Sequence, residues 1–194
     1  MRQFYLILVL SITFLKSYSN NVDGYIVTLN SDTVQAQIKL SGGFFFGIGS
    51  YDMYKQVQVL DSVGTVKVLT PKEIKAYGYT YKSRDYVYRV KQIEDGSYYF
   101  LEPVITGNRT SLYRYTVIRG GGKYATMEEY YTFEKSGGSY LFLKSFDGLD
   151  TFKAALKGFY SDNWEVQQLI EKKFSARRKI QKDIQDIVVA VNNS

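Results

Sequence analysis

From Gly24 to Phe146 the chain is a succession of short runs in which outward and inward residue types alternate, cut at intervals by Gly, Asn, Asp and Ser. A period of two sends successive side chains to opposite faces of an extended backbone, so such runs specify strands joined as antiparallel hairpins. Tyr25 to Leu29 and Thr33 to Leu40 flank Asn30-Ser31-Asp32, and Tyr54 to Leu60 and Thr65 to Leu69 flank Asp61 to Gly64. Lys75 to Lys82 and Tyr86 to Ile93 flank Ser83-Arg84-Asp85, after which Asp95-Gly96 turns the chain into Ser97 to Ile105. Ser111 to Ile118, Glu129 to Glu134 and Tyr140 to Lys144 follow, which brings the expectation to about ten strands.

The two prolines mark boundaries within this pattern. Thr70-Pro71-Lys72-Glu73 has the cap, first-position proline and glutamate of a single helical turn. Pro103 falls inside a strand pattern, where its missing N–H fits an edge or a bulge.

After Phe146 the period lengthens to between three and four. Asp150 or Thr151 is placed to cap a helix ending at Phe159, and Asp162 to cap a second with Val166, Leu169, Ile170 and Phe174 on one side. A third begins near Ser175 and carries Ile180, Ile184, Ile187, Val188 and Val191. The fold class is therefore α+β: an antiparallel meander of about ten strands over residues 20–146, curled or barrel-like, then two or three helices over 147–194 packed on it as one globular unit.

Residues 1–19 stand apart. Arg2, the apolar run from Phe4 to Leu15 and Ser17-Tyr18-Ser19 read as a signal peptide cleaved between Ser19 and Asn20. The apolar run is shorter than the roughly 20 residues that span a bilayer, and no cysteine follows it for lipid attachment. Loss of Arg2 and Lys16 lowers the formal charge from +6 to +4, ordinary solvation charge that gives no reason to expect nucleic acid as a partner. The expected location is the periplasm, or a secreted or outer-membrane-associated state in a Gram-negative bacterium.

The chain has no cysteine and no histidine. Thiol nucleophiles, imidazole bases, Ser-His-Asp triads and the usual zinc sites are thereby excluded. No Asp-x-Asp-x-Asp calcium loop or phosphate-binding loop is present, and Gly120-Gly121-Gly122-Lys123 reads as a hairpin tip. No catalytic residue, metal ligand or cofactor is assigned. A carboxylate enzyme acting on a glycan would have to draw on Glu102, Glu128, Glu129 and Asp147, yet Glu128 and Glu129 are neighbours on a strand and face apart.

Tyrosine is abundant, with 19 copies, and it alternates within strands. Tyr77, Tyr79 and Tyr81 share one side of their strand, as do Tyr86 and Tyr88, and Tyr113 and Tyr115. Either these are half-buried strand residues packed in cross-strand pairs, or they form an aromatic platform, interleaved with Arg84, Arg89, Lys91 and Arg114, that stacks on sugar rings, peptide aromatics or, least expected at this net charge, exposed bases. Ser41 to Tyr51, which contains Phe44, Phe45 and Phe46, is either a hairpin tip folded onto the core or a contact loop for a hydrophobic ligand, a protein partner or the membrane surface. Lys172, Lys173, Arg177, Arg178, Lys179 and Lys182 read as the solvated side of the last two helices.

GYIVTLNSDTVQAQI at 24–38, VKVLTPKEIKAYGY at 66–79, YFLEPVITGNRTSLYRY at 99–115 and the LKGFYSDNWEVQQLIEKKFS run together resemble a family of small, exported, uncharacterised bacterial proteins. The resemblance implies a β-rich domain ending in helices; its shared motifs are turn and packing signals that identify no chemistry. Many members close on an aromatic-Asn pair, whereas Val191-Asn192 stands here, which changes the final contact. An outer-membrane barrel is not expected, because Lys55, Lys67, Arg84, Arg89 and Lys91 interrupt the strands. The expected function is that of a non-enzymatic envelope protein binding a protein partner, a hydrophobic ligand or a glycan through aromatic surfaces, with a carboxylate-dependent enzyme or a structural scaffold as the alternatives.

Overall fold

A computed structural model describes residues 21–40, 53–61, 63–119, 126–145, 147–174 and 179–194. The segment read as a signal peptide, including Ser19 and Asn20, and the Phe44-Phe45-Phe46 loop lie outside the described residues. Ten strands are present: β1 Asn21–Thr28, β2 Thr33–Lys39, β3 Val57–Leu60, β4 Val66–Leu69, β5 Ile74–Tyr81, β6 Arg84–Gln92, β7 Tyr98–Ile105, β8 Thr110–Arg119, β9 Thr126–Lys135 and β10 Tyr140–Lys144. Three helices follow, α1 Leu149–Phe159, α2 Trp164–Lys172 and α3 Ile180–Asn193.

The strands form one antiparallel sheet in the order β10-β9-β8-β7-β6-β5-β1-β2-β3-β4. Two runs of hairpins thus meet where β5 pairs with β1 instead of β4. The redirection happens at Thr70 to Glu73, where the Thr70 N–H and hydroxyl both donate to Glu73 Oε2 at 2.8 Å and the Glu73 N–H donates to the Thr70 carbonyl at 2.9 Å. The capping pattern read from the sequence is there, but it closes a turn that continues directly into β5. The β5–β6 turn uses Lys82 and Ser83, both at positive φ, so Arg84 and Asp85 already belong to β6.

The ladder does not close: β4 and β10 remain as edges. It does curl, because the segment entering β3 returns to β5 and β7. The Tyr77 hydroxyl donates to the Met53 carbonyl at 2.7 Å, and the Phe100 N–H donates to the Tyr54 carbonyl at 2.7 Å.

Register sorts the side chains into two faces. Tyr77 pairs with Tyr88 and Tyr79 with Tyr86, Val90 pairs with Phe100, and Glu102 pairs with Arg114. These residues share one face with Leu112, Tyr131, Phe133 and Leu143. At the β1–β7 end that face buries Ile38, Val57, Val59, Leu69, Ile74, Tyr77, Tyr79 and Phe100. At the β8–β10 end it is covered by the helices through Phe152, Leu156, Ile170, Ile184, Ile187 and Val188. Each such aliphatic or phenyl side chain taken fully out of water contributes about 1.5–3 kcal/mol before chain entropy is subtracted.

The first two helices begin one to three residues before or after the caps read from the sequence. Gly148, without a side-chain bond, precedes α1, and Asp150 sits in its first turn. Asn163, not Asp162, caps α2 by accepting the Val166 N–H at 3.0 Å, while Asp162 pairs with Lys135 at 3.1 Å. The α3 stripe is buried as its spacing predicts, and the buried Asp183 accepts the Phe174 N–H at 3.0 Å, where Phe174 turns the chain with φ of 60°. Among the described residues no helix is long and apolar enough to cross a membrane.

Candidate functional site

The sheet is split between β7 and β8. These strands pair from Ile105 to Glu102, with a register shift at Pro103, the residue without an N–H to give. Beyond Glu102 they part: Phe100 gives its N–H to Tyr54, not to β8. The free end of β7, with the β6–β7 turn, therefore stands away from β8 to β10 and leaves a cleft of about 470 Å3. That volume falls within the ~300–1,000 Å3 typical of ligand pockets.

Tyrosines line it. Tyr54, wedged into the split, has its ring centroid 5.1 Å from Tyr99 and 5.4 Å from Tyr115. Tyr99 and Tyr115 meet edge to face at 5.7 Å, and Tyr115 stacks on Tyr130 at 4.7 Å. Phe142 continues the wall, and the buried Ile93, Leu101 and Tyr113 support it from below. The four tyrosines are each half-buried, fixed by their neighbours yet open to the cleft. Edge-to-face and offset ring pairs contribute about 0.5–1.5 kcal/mol each beyond their buried area, so the wall is held in shape without a ligand.

Charged groups ring the opening. Lys144 Nζ stands 3.8 Å from Glu94 Oε2, and Lys55 Nζ lies 5.5 Å from the centre of the Tyr54 ring. Asp95 Oδ1 accepts the Ser97 N–H at 2.8 Å, and Ser97 holds its carboxyl below the usual carboxylate range. Burial, then the crowding of Tyr130, Tyr99 and Tyr54, pushes the Tyr115 hydroxyl well above its ordinary value, so it stays protonated and able to donate at neutral pH.

The tyrosines singled out in the sequence do not form one platform. Tyr77, Tyr79, Tyr81, Tyr86 and Tyr88 lie on the helix-bearing face, where Tyr77–Tyr88 and Tyr79–Tyr86 stack at 4.8 and 5.0 Å. Tyr77 and Tyr79 are core residues, 0% and 4% exposed. Tyr113 and Tyr115 point to the opposite face, because the pairing of Glu102 with Arg114 puts Arg114 on the same face as Phe100. Tyr113 is buried as well, with Lys91 Nζ 4.7 Å from its ring centre. Of those seven tyrosines, Tyr115 alone lines the cleft.

Nothing local in the sequence marks Tyr54, Tyr99, Tyr130 and Phe142 as members of one site. Tyr54 heads a run whose alternation reads as an ordinary strand, and Tyr99 and Tyr130 each sit beside another tyrosine, which hides the side they take. The available signal was Pro103, which marks the place where the β7–β8 ladder is disturbed.

The interleaved cations are mostly committed to ion pairs. Arg114 bonds Glu102 Oε2 at 2.7 Å and Glu129 Oε1 at 3.2 Å, and Arg84 lies 3.5 Å from Glu102 Oε1. The Tyr131 hydroxyl donates to Glu129 Oε2 at 2.6 Å. Lys91 meets Glu134 at 2.6 Å. Glu128 and Glu129 fall on opposite faces, as their adjacency predicts. Lys173 and Lys182, from the basic stretch near the C-terminus, both pair with Asp186, at 2.6 and 3.3 Å.

A second hollow, of about 600 Å3, lies over β1 and β2 between Gln35, Gln37, Asp61 and Gly64 and has no aromatic wall. Among the described residues no group of carboxylates is arranged to hold a metal ion. No family model matches the chain, and no curated protein and no solved structure is similar to it.

Proposed function

We propose that this is an exported, non-enzymatic protein of the bacterial envelope, related to the family it resembles, and that it holds a ligand in the cleft between β7 and β8. The observation that carries the reading is the row Tyr54, Tyr99, Tyr115 and Tyr130. Four aromatic rings are kept half-open to solvent at a place where the sheet gives up its own hydrogen bonds. Exposed aromatic surface is costly to maintain unless a partner covers it. The non-enzymatic part is supported by the tie of Glu102 and Glu129 to Arg114, which makes them fixed counter-ions, and by a composition without imidazole or thiol. Export is supported by Arg2, the Phe4 to Leu15 run and Ser17-Tyr18-Ser19.

Two measurements test the reading. Fractionation of expressing cells is expected to recover a chain beginning at Asn20 outside the cytoplasm; a chain retaining Met1 in the cytoplasm would end the export part. Native mass spectrometry of protein purified from the envelope is expected to find a bound non-protein species that the Tyr99→Ala, Tyr115→Ala double variant lacks. The same species on both proteins would rule out the cleft.

A further inference from the structure

Resting on the cleft as the binding site, we infer that its ligand is an uncharged oligosaccharide, with pyranose rings seated on the tyrosine row. The argument starts from the wall. The rings of Tyr54, Tyr99 and Tyr115 are tilted to one another by 59°, 33° and 89°, so no single flat slot exists for a planar aromatic guest. What they present is a set of ring faces and edges at changing angles. A pyranose suits this, because its C–H faces pack on aromatic rings while its hydroxyls project sideways to polar partners.

The polar partners are in place. Glu94, Asp95, Lys55 and Lys144 border the aromatic wall, of which Tyr115 is itself a part. Carboxylates accept from sugar hydroxyls, ammonium groups donate to them, and a phenol does both. The same four groups argue against other ligand classes. A fatty acyl chain would bury against charges that it cannot hydrogen-bond. An anionic ligand would meet Glu94 and Asp95, and a cationic one Lys55 and Lys144; two charges of each sign favour a ligand with none. The space of about 470 Å3 accommodates a disaccharide-sized portion, with the open side leaving room for the chain to continue.

The test is calorimetric titration of the mature protein with cellotetraose, maltotetraose, chitotetraose (N-acetylated) and mannotetraose, alongside sialyllactose and palmitate. At least one uncharged tetrasaccharide is expected to bind, with affinity reduced about tenfold or more by Tyr99→Ala and by Tyr115→Ala. Tyr99→Phe, which keeps the ring, is expected to retain most of that affinity, and thermal melting confirms that each variant is folded. Binding of sialyllactose or palmitate alone, lost on Tyr115→Ala, would overturn the uncharged-saccharide assignment while leaving the cleft as the binding site. No binding by any probe, or saccharide binding indifferent to both alanine variants, would overturn the assignment and count against the cleft as well.

Discussion

The side-chain amide of Asn192 closes on the backbone of Thr110. Its Oδ1 accepts the Thr110 N–H at 3.0 Å, and its Nδ2 donates to the Thr110 carbonyl at 2.8 Å. The same oxygen accepts the Arg109 N–H at 3.0 Å, and the same nitrogen donates to Val188 at 2.9 Å. One residue of α3 thereby satisfies the strand-entry backbone of β8. Gly107 leaves the space: a side chain there would run into the Asn192 amide.

Asn192→Ala is expected to destabilise the fold by about 2–3 kcal/mol, the cost of leaving partly buried backbone groups without partners. Asn192→Asp is expected to cost nearly as much, because it sets an oxygen against the carbonyls of Thr110 and Val188. Urea unfolding monitored by far-ultraviolet circular dichroism checks both. An aspartate variant as stable as wild type would show that the amide nitrogen contributes nothing.

Two glycines at the β1–β5 seam make an ordered pair of predictions. A methyl group on Gly78 would fall 2.6 Å from Cζ of the Tyr25 ring, whereas one on Gly24 would press on the Gly78 carbonyl and lie 2.8 Å from Ile38 Cγ1. A tyrosine ring at its far end swings aside; a paired strand backbone does not. Both alanine variants are expected to lose stability, in the range of about 1–3 kcal/mol for overpacking, with Gly24→Ala the more damaging. Equal or reversed denaturation midpoints would contradict this account of the seam.

Much of the fold was legible because its signals are local. Asn30-Ser31-Asp32, Asp61 to Gly64 and Asp95-Gly96 each turn the chain through short-range bonds, as when Asp61 Oδ1 accepts the N–H groups of Val63 and Thr65. Helical spacing likewise located the buried stripe of α3. What could not be read is long-range. The pairing of β5 with β1 depends on where the chain is sent after Glu73. The face taken by Tyr115 relative to Tyr77 depends on the registers of three successive strand pairs. The cleft depends on both, and on a hydrogen bond between Phe100 and Tyr54, 46 positions apart in the numbering. Alternation within a strand fixes which residues share a side, but only register says which sides of two strands coincide.

Arg114 is expected to be the most sensitive charged position in the sheet. Its side chain is 16% exposed and holds Glu102 and Glu129, at 27% and 26%, on the same face. Arg114→Met takes away the cation that the two carboxylates share, so that their like charges are no longer compensated between them, and leaves Glu102 the longer Arg84 contact and Glu129 the Tyr131 hydroxyl. Full burial would cost about 3–5 kcal/mol, which partial solvent access reduces to about 2–3. Adding Glu102→Gln and Glu129→Gln to Arg114→Met is expected to restore part of the loss, since the stranded charges are then gone. Chemical denaturation at neutral pH compares the three proteins, and a triple variant less stable than Arg114→Met would refute the repulsion argument.

The stacked tyrosines of β5 and β6 predict how the protein fails in alkali. Burial, chiefly, raises the Tyr77 and Tyr88 hydroxyls well above their ordinary value of 10.0 and pushes Tyr79 up to about 12. Tyrosine becomes charged on losing its proton, so a raised value means that the folded state keeps protons which the unfolded chain has released. Below pH 10 both states are protonated and this source gives no pH dependence. Above pH 10 the unfolded state binds fewer protons, and stability falls by about 1.4 kcal/mol per pH unit for each tyrosine held back, until that tyrosine itself ionises in the folded state. Urea midpoints are therefore expected to drop steeply above pH 10, with an additional step in tyrosinate absorbance, from the tyrosines of the β5–β6 stack, at the unfolding transition. Tyr88→Phe removes one such group, and its stability is expected to decline more gently by about one proton's slope. An unchanged slope would mean that Tyr88 ionises as readily inside the fold as outside it.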